Sequence, residues 1–177
     1  SIETTENALD VAIDGKGYFP ILMPDGTEAY TRDGSFKVSD QGQMVTASGY
    51  TLQPGINIPA DTRSVTIGTD GVVSVSLPGQ ASPVAIGNIQ LVNFINPTGL
   101  QPIGENLFLE SAASGAAQAG TPGLTGLGRL TQGALEASNV NIVEEMVGMI
   151  ETQRAYEMNS RLISTADGMM QYLNNNI

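Results

Sequence analysis

Between about residue 10 and residue 133 the apolar positions fall in short runs, each broken by glycine and turn residues. The runs predict strands over 11–13, 18–23, 28–31, 35–38 and 44–46. Between them lie Asp14-Gly15, Pro24-Asp25-Gly26, Asp33-Gly34, Asp40-Gln41-Gly42 and Ser48-Gly49. Asp-Gly pairs suit turn positions of positive φ, and their spacing matches an antiparallel meander. A second set follows over 64–67, 72–77, 83–86 and 89–95, its first two members joined at Asp70-Gly71. "VVSVSL" alternates in its later part, as a half-buried strand does. "IQLVNFI" is more continuously apolar and is expected to be a central strand. From Gly99 to Gly133 glycines and the run "SAASGAAQAGTPG" predict extended loop, with short strands at "NLFLE" and "GRLTQGALE".

The period then changes. "NIVEEMVGMIETQRAYEMNSRLISTADGMMQYL", residues 141–173, reads as one long helix. Asn141 and Glu144 suit a capping pair, Glu144 and Glu145 complement the positive end of the helix dipole, and Glu157 and Arg161 stand at i,i+4. At ~1.5 Å per residue such a helix spans roughly 48 Å. One stripe takes Ile142, Met146, Met149, Tyr156, Ile163 and Met170. A neighbouring stripe takes Val143, Val147, Ile150, Met158, Leu162, Ala166, Met169 and Leu173. Together they exceed the ~100° face that a helix lying on one domain buries. Each large apolar side chain left in water forgoes ~1.5–3 kcal/mol, so the second stripe calls for another helix. The expected fold is therefore mainly β. An antiparallel meander or barrel-like domain occupies 1–133, with a Gly/Ala-rich loop over 97–128, and one long C-terminal α-helix lies within 134–177.

Composition removes most chemistry. The chain of 177 residues has no cysteine and no histidine, which excludes disulfides, thiolate catalysis, Cys/His zinc sites and imidazole bases. A formal charge of -11 on a chain with seven scattered bases opposes binding to nucleic acid or to anionic membranes. No apolar run approaches the ~20 residues of a membrane span, and no basic-then-apolar leader opens the sequence.

Four fragments resemble known motifs, and each has a plainer reading. "DGKG" at 14–17 is part of a calcium loop in outline, but the spacing is wrong and no bidentate glutamate follows, so a hairpin turn explains it. "GLTGLGR" at 123–129 reverses the dinucleotide glycine order and lies outside any βαβ pattern, so it reads as loop. Ser35 and Lys37 are two apart, where serine/lysine enzymes use a helical spacing. Glu144-Glu145 lacks the histidine of a di-iron site. Paired carboxylates for glycoside hydrolysis are always available among 18 acids, yet tryptophan is absent. No enzyme, cofactor or metal is expected. The competing readings are a secreted carbohydrate-active enzyme or lectin and a surface adhesin.

"NALDVAIDGKGYFPILMPDGTEAYTRDGSFKVSDQGQMVTASGYTL" resembles the module shared by bacterial flagellar rod and hook proteins. "LEASNVNIVEEMVGMIETQRAYEMNSRLISTADGMMQYL" resembles their C-terminal signature, most specifically at "SNVNIVEEM" and "QRAYEMNS". "NPTGLQPIGENLFLESAASGAA" between them fits the rod members, and hook members carry an extra outer domain for which this sequence has no room. The resemblance implies a structural subunit of a hollow helical drive shaft, exported through the type III apparatus without a cleaved signal peptide. It places the subunit in the basal body, in the rod that spans the periplasm. Implied partners are further copies in a helical homopolymer, other rod subunits, the hook protein and the surrounding outer-ring proteins. Nucleic acid and membrane insertion are not implied. The family also carries an N-terminal helix that pairs with the C-terminal one in the inner tube and is absent from this sequence. By position, the assembly interface comprises Ile142, Val143, Met146, Val147, Met149, Ile150, Tyr156, Met158, Leu162, Ile163 and Met170.

Overall fold

In the computed structural model, which describes residues 1–137, the apolar runs become short strands separated by tight turns. Along the chain these are β1 (Ile2–Thr4), β2 (Val11–Asp14), β3 (Phe19–Leu22), β4 (Glu28–Thr31), β5 (Lys37–Val38), β6 (Met44–Val45) and β7 (Thr51–Leu52). There follow β8 (Ser64–Ile67), β9 (Val72–Ser76), β10 (Val84–Asn88) and β11 (Leu91–Asn93). The last are β12 (Gln101–Gly104), β13 (Leu107–Leu109), β14 (Gln118–Gly120), β15 (Arg129–Gln132) and β16 (Ala134–Glu136). All belong to one unit, Ile2–Glu136.

The expected fold class needs correction. The described residues are mainly β and contain no α-helix; their one helical segment is the 3-10 turn Pro97–Gly99. Runs of two to five residues between glycine turns are too short to nucleate a helix, whose first hydrogen bond fixes several residues at once. The helix read over 141–173 lies outside the described residues. The sheet is a meander only in part. Its order is β12-β13-β4-β3-β7-β6-β5, so β3 lies between β4 and β7, and a hairpin from much later in the chain extends the edge at β4. Strands β8–β10 form a separate three-stranded sheet, and β2–β15, β11–β14 and β1–β16 are two-stranded ribbons.

Alternation along the strands distributes side chains between two apolar clusters. Phe19 and Ile21 of β3 and Ala29 of β4 join the main core with Val11, Ile13, Met44, Leu52, Val73 and Val75. Tyr30, one residue on, faces the other side and packs with Val92, Phe94 and Leu100. Its ring meets Phe94 edge-on at 4.9 Å, and Tyr18 meets Phe94 and Phe108 at 5.8 and 6.2 Å. Such edge-to-face pairs add ~0.5–1.5 kcal/mol beyond the area they bury.

"IQLVNFI" is not a central strand. Its paired portion is only β11, which has β14 as its ladder partner and a single bridge from Val92 to Tyr18. Its apolar run is continuous because its two faces serve different clusters: Ile89 and Leu91 enter the main core, Val92 and Phe94 the second.

One glycine is dictated by crowding. The Val11 amide donates to the Gly34 carbonyl at 3.0 Å, and a Cβ on Gly34 would stand 1.6 Å from the Val11 carbonyl oxygen.

Candidate assembly surface

The predicted interface residues Ile142, Val143, Met146, Val147, Met149, Ile150, Tyr156, Met158, Leu162, Ile163 and Met170 lie outside the described residues. What the described residues show is how the β unit ends and which surfaces it presents.

The two ends of the unit meet in one ribbon. Strands β1 and β16 run antiparallel, with Ile2 opposite Glu136 and Thr4 opposite Ala134. A polar strap fastens the ribbon to the body. The amides of Thr5 and Glu6 donate to the Gly133 carbonyl, the Gly133 amide donates to the Asp10 carbonyl at 2.7 Å, and the Thr5 hydroxyl donates to the Asp10 carboxylate at 2.7 Å. Asp10 is nearly buried, so that hydroxyl offsets part of the cost of removing its charge from water.

Arg32, just beyond β4, fixes the same end. Its Nη1 donates to the carbonyls of Gly15 at 2.7 Å and Gly17 at 2.8 Å, and its Nη2 donates to that of Ile13 at 3.3 Å. Its Nε and Nη2 both reach Glu136 Oε2 at 2.9 Å. The planar guanidinium suits this task because its donors diverge in one plane toward several acceptors. The "DGKG" turn is not the expected hairpin turn, because β2 pairs with β15 while β3 pairs with β4 and β7; it is a connection between sheets, and its Gly15 and Gly17 carbonyls cap an arginine. Burial raises the pKa of the nearby Tyr18 hydroxyl; Arg32 opposes that shift and Glu136 adds to it. Gln132 performs a comparable task inside the ribbon. Its Nε2 donates to the carbonyls of Ala8 and Val65, each at 2.8 Å, while its Oε1 accepts from the Ile67 amide at 2.9 Å. The carboxamide thereby stands in for a neighbouring strand along the edge of β8.

Neither Arg32 nor Gln132 was legible from hydrophobic period. The available signal was weak: an arginine directly before the Asp33-Gly34 turn, and a lone amide at the end of the run that follows Gly126. "GLTGLGR" is held as a turn, with the Gly128 amide donating to the Lys16 carbonyl at 2.7 Å and Leu127 buried beneath it.

Among the described residues, an open groove of about 680 Å³ lies between the 38–42 turn, 57–65 and Asn7–Leu9. Its lining holds one carboxylate, Asp40, and no aromatic ring, so it lacks both the carboxylate pair and the stacking faces of a glycosidase. Among the described residues, no cluster of three or more potential metal-ligating side chains occurs, and no helix is long and apolar enough to cross a membrane. Arg32 and Gln132 satisfy backbone carbonyls and an amide, Arg32 also holds Glu136, and the Asp10 carboxylate accepts from the Thr5 hydroxyl. The fold defines the class as a β module whose first and last strands lie side by side.

Comparison with known proteins narrows that class. Residues 12–75 match the family described as flagellar hook protein FlgE/F/G D1 domain, and residues 131–176 match flagellar basal body rod FlgEFG protein C-terminal. The chain is 56% identical over 167 residues to the flagellar basal-body rod protein FlgG of Caulobacter vibrioides, covering 94% of this chain and 64% of that protein. It is 52% identical over 173 residues to the protein of the same name from Buchnera aphidicola subsp. Schizaphis graminum, covering 98% of this chain and 66% of that one. With the Bacillus subtilis protein of that name the identity is 44% over 178 residues, covering 98% and 67%. The chain belongs to the flagellar basal-body rod protein family. It spans just under two thirds of the length of the Caulobacter and Buchnera relatives.

Proposed function

We propose that the chain is the greater part of a structural subunit of the distal rod of the bacterial flagellum. Copies assemble into the hollow helical shaft that carries torque to the hook. The observation that carries this reading is identity of 44–56% with proteins named FlgG, sustained over nearly the whole chain, including the signature at 131–176. The β unit is the rigid body of the subunit, its ends fastened at Arg32–Glu136 and at the Asp10 strap. The apolar positions from Ile142 to Met170 supply contacts between subunits. Their role is packing, and no catalysis is assigned. Other rod subunits, the hook protein and the surrounding outer-ring proteins are the remaining partners. The subunit works in the rod as it spans the periplasm, reached by type III export.

A chimera tests this. The matching portion of the Caulobacter rod protein is replaced by this chain and produced in cells lacking their own copy. Basal bodies with rods of normal length are expected by electron microscopy. An exported, folded chimera that leaves the rod truncated would overturn the reading.

A further inference from the structure

Strand β16 follows β15 after the single residue Gly133, yet the two take different partners: β15 pairs with β2, and β16 with β1. Both chains change course at the same level. Gly133 has φ of 73° and Glu6, on the other chain, φ of 62°, and the Glu6 amide donates to the Gly133 carbonyl at 3.1 Å. Positive φ at a glutamate carries a backbone cost, so the surrounding fold imposes the bend. Beyond it β16 packs on β2, and Glu136 at its far end reaches Arg32, whose Nη2 also holds the Ile13 carbonyl of β2.

Apolar burial does little to hold the ribbon there. Ile2, Glu3 and Thr4 of β1 are all exposed, and in β16 Ala134 is buried, Leu135 half-buried and Glu136 exposed. One buried methyl supplies a small part of what a core leucine does. The ladder keeps β1 and β16 together, while the bonds made by the Thr5, Glu6 and Gly133 amides lie beside the bend. A swing about Glu6 and Gly133 therefore leaves the ladder whole. At the far end Glu136 resists that swing. Its partner is anchored independently, because the Arg32 guanidinium also donates to the carbonyls of Ile13, Gly15 and Gly17. The two side chains are 29% and 37% exposed, so the pair can part and re-form without stranding a charge away from water.

We propose that the β1–β16 ribbon is an arm, hinged at Glu6 and Gly133 and latched to the body by Glu136 on Arg32. With the latch closed the arm lies on β2. With it open the arm swings as a unit, so the latch sets where its free end points. Opening breaks one partly exposed pair and leaves both apolar clusters intact, which makes it a local event far easier than global unfolding. The latch is a property of the β unit itself and does not depend on the rod-subunit reading.

The absence of cysteine lets spin labels be placed at chosen positions in the intact chain. Labels at Glu3→Cys on β1 and Glu28→Cys on β4 measure the arm against the body by double electron–electron resonance. Labels at Asp61→Cys and Glu28→Cys measure the body alone. The parent should give one narrow distance for each pair. Glu136→Ala leaves the carbonyl bonds of Arg32 in place; it should raise the displaced population of the first pair about fivefold and leave the second pair unchanged. Glu136→Gln, which keeps an acceptor for the guanidinium, should fall between parent and alanine variant. Thermal melts of each variant verify folding. An arm distance unchanged by Glu136→Ala would overturn the proposal. So would a broad arm distance in the parent, or a shift of both pairs together, which marks loosening of the whole unit rather than a swing of the arm.

Discussion

Arg32 and Glu136, 104 positions apart in sequence, meet through two nitrogen–oxygen contacts of 2.9 Å to a single carboxylate oxygen. That carboxylate belongs to the last residue of β16, and the guanidinium also holds the carbonyls of Ile13, Gly15 and Gly17. The pair joins the end of the β unit to the β2–β3 connection that carries Lys16.

Arg32→Ala should therefore destabilise the β unit by about 1.5–3 kcal/mol, the range for losing hydrogen bonds to a charged donor. Arg32→Lys should recover little of it, because one ammonium cannot span three carbonyls. Glu136→Gln should cost less than ~1 kcal/mol, since the pair is partly exposed and screened. Urea titrations followed by near-ultraviolet dichroism of the tyrosines check all three.

Gln132→Ala leaves the Ile67 amide and the Ala8 and Val65 carbonyls without their partner and should cost about 1–3 kcal/mol. Gln132→Glu should be worse at neutral pH, because an ionised carboxylate then faces two carbonyl oxygens. Its folded-state pKa would be raised, so the variant should regain stability as the solution is acidified. A pH series of urea midpoints for the two variants decides this.

Two glycines should respond differently to alanine. At Gly34 the new Cβ meets the Val11 carbonyl oxygen, so β2 must move and the loss should reach about 3 kcal/mol. Gly26 has φ of 89° with nothing within 4 Å of the added carbon, so Gly26→Ala should cost only ~1 kcal/mol from backbone strain. Thermal melts of both proteins measure the contrast.

Much of the strand layout was legible because Asp-Gly and Ser-Gly pairs mark where the chain turns, and β4 and β8 occupy the expected positions 28–31 and 64–67. Pairing was less legible. The attachment of β13 to β4 depends on tertiary packing that no local pattern encodes. "IQLVNFI" misled because an apolar run can mean a strand inside one sheet or a segment wedged between two clusters, and Ile89 and Phe94 belong to the second case. Arg32 and Gln132 were silent because their partners are backbone carbonyls and amides, which every residue possesses. The expected interface from Ile142 to Met170 lies outside the described residues.

Tyr30 supplies a pH prediction. Burial, then Glu28 and Glu110, push its hydroxyl up to about 12. The folded state therefore holds this proton more tightly than the unfolded chain, whose tyrosines titrate near ~10. The associated stability is complete below pH ~10 and is lost as pH rises toward ~12. Tyr30→Phe should flatten that decline, apart from the parts due to Tyr18 and Tyr50, whose pKa values are also raised. Urea midpoints at pH ~9 and pH ~11 for the parent and the variant test it.

The most direct measurement concerns assembly. The rod chimera carrying Ile150→Asp is compared with its parent by electron microscopy of isolated basal bodies, with export and the tyrosine dichroism of the β unit verified in parallel. If Ile150 serves assembly as proposed, a charge in its place should leave an exported, folded subunit that builds no distal rod. Rods of normal length and number from the variant would contradict the account.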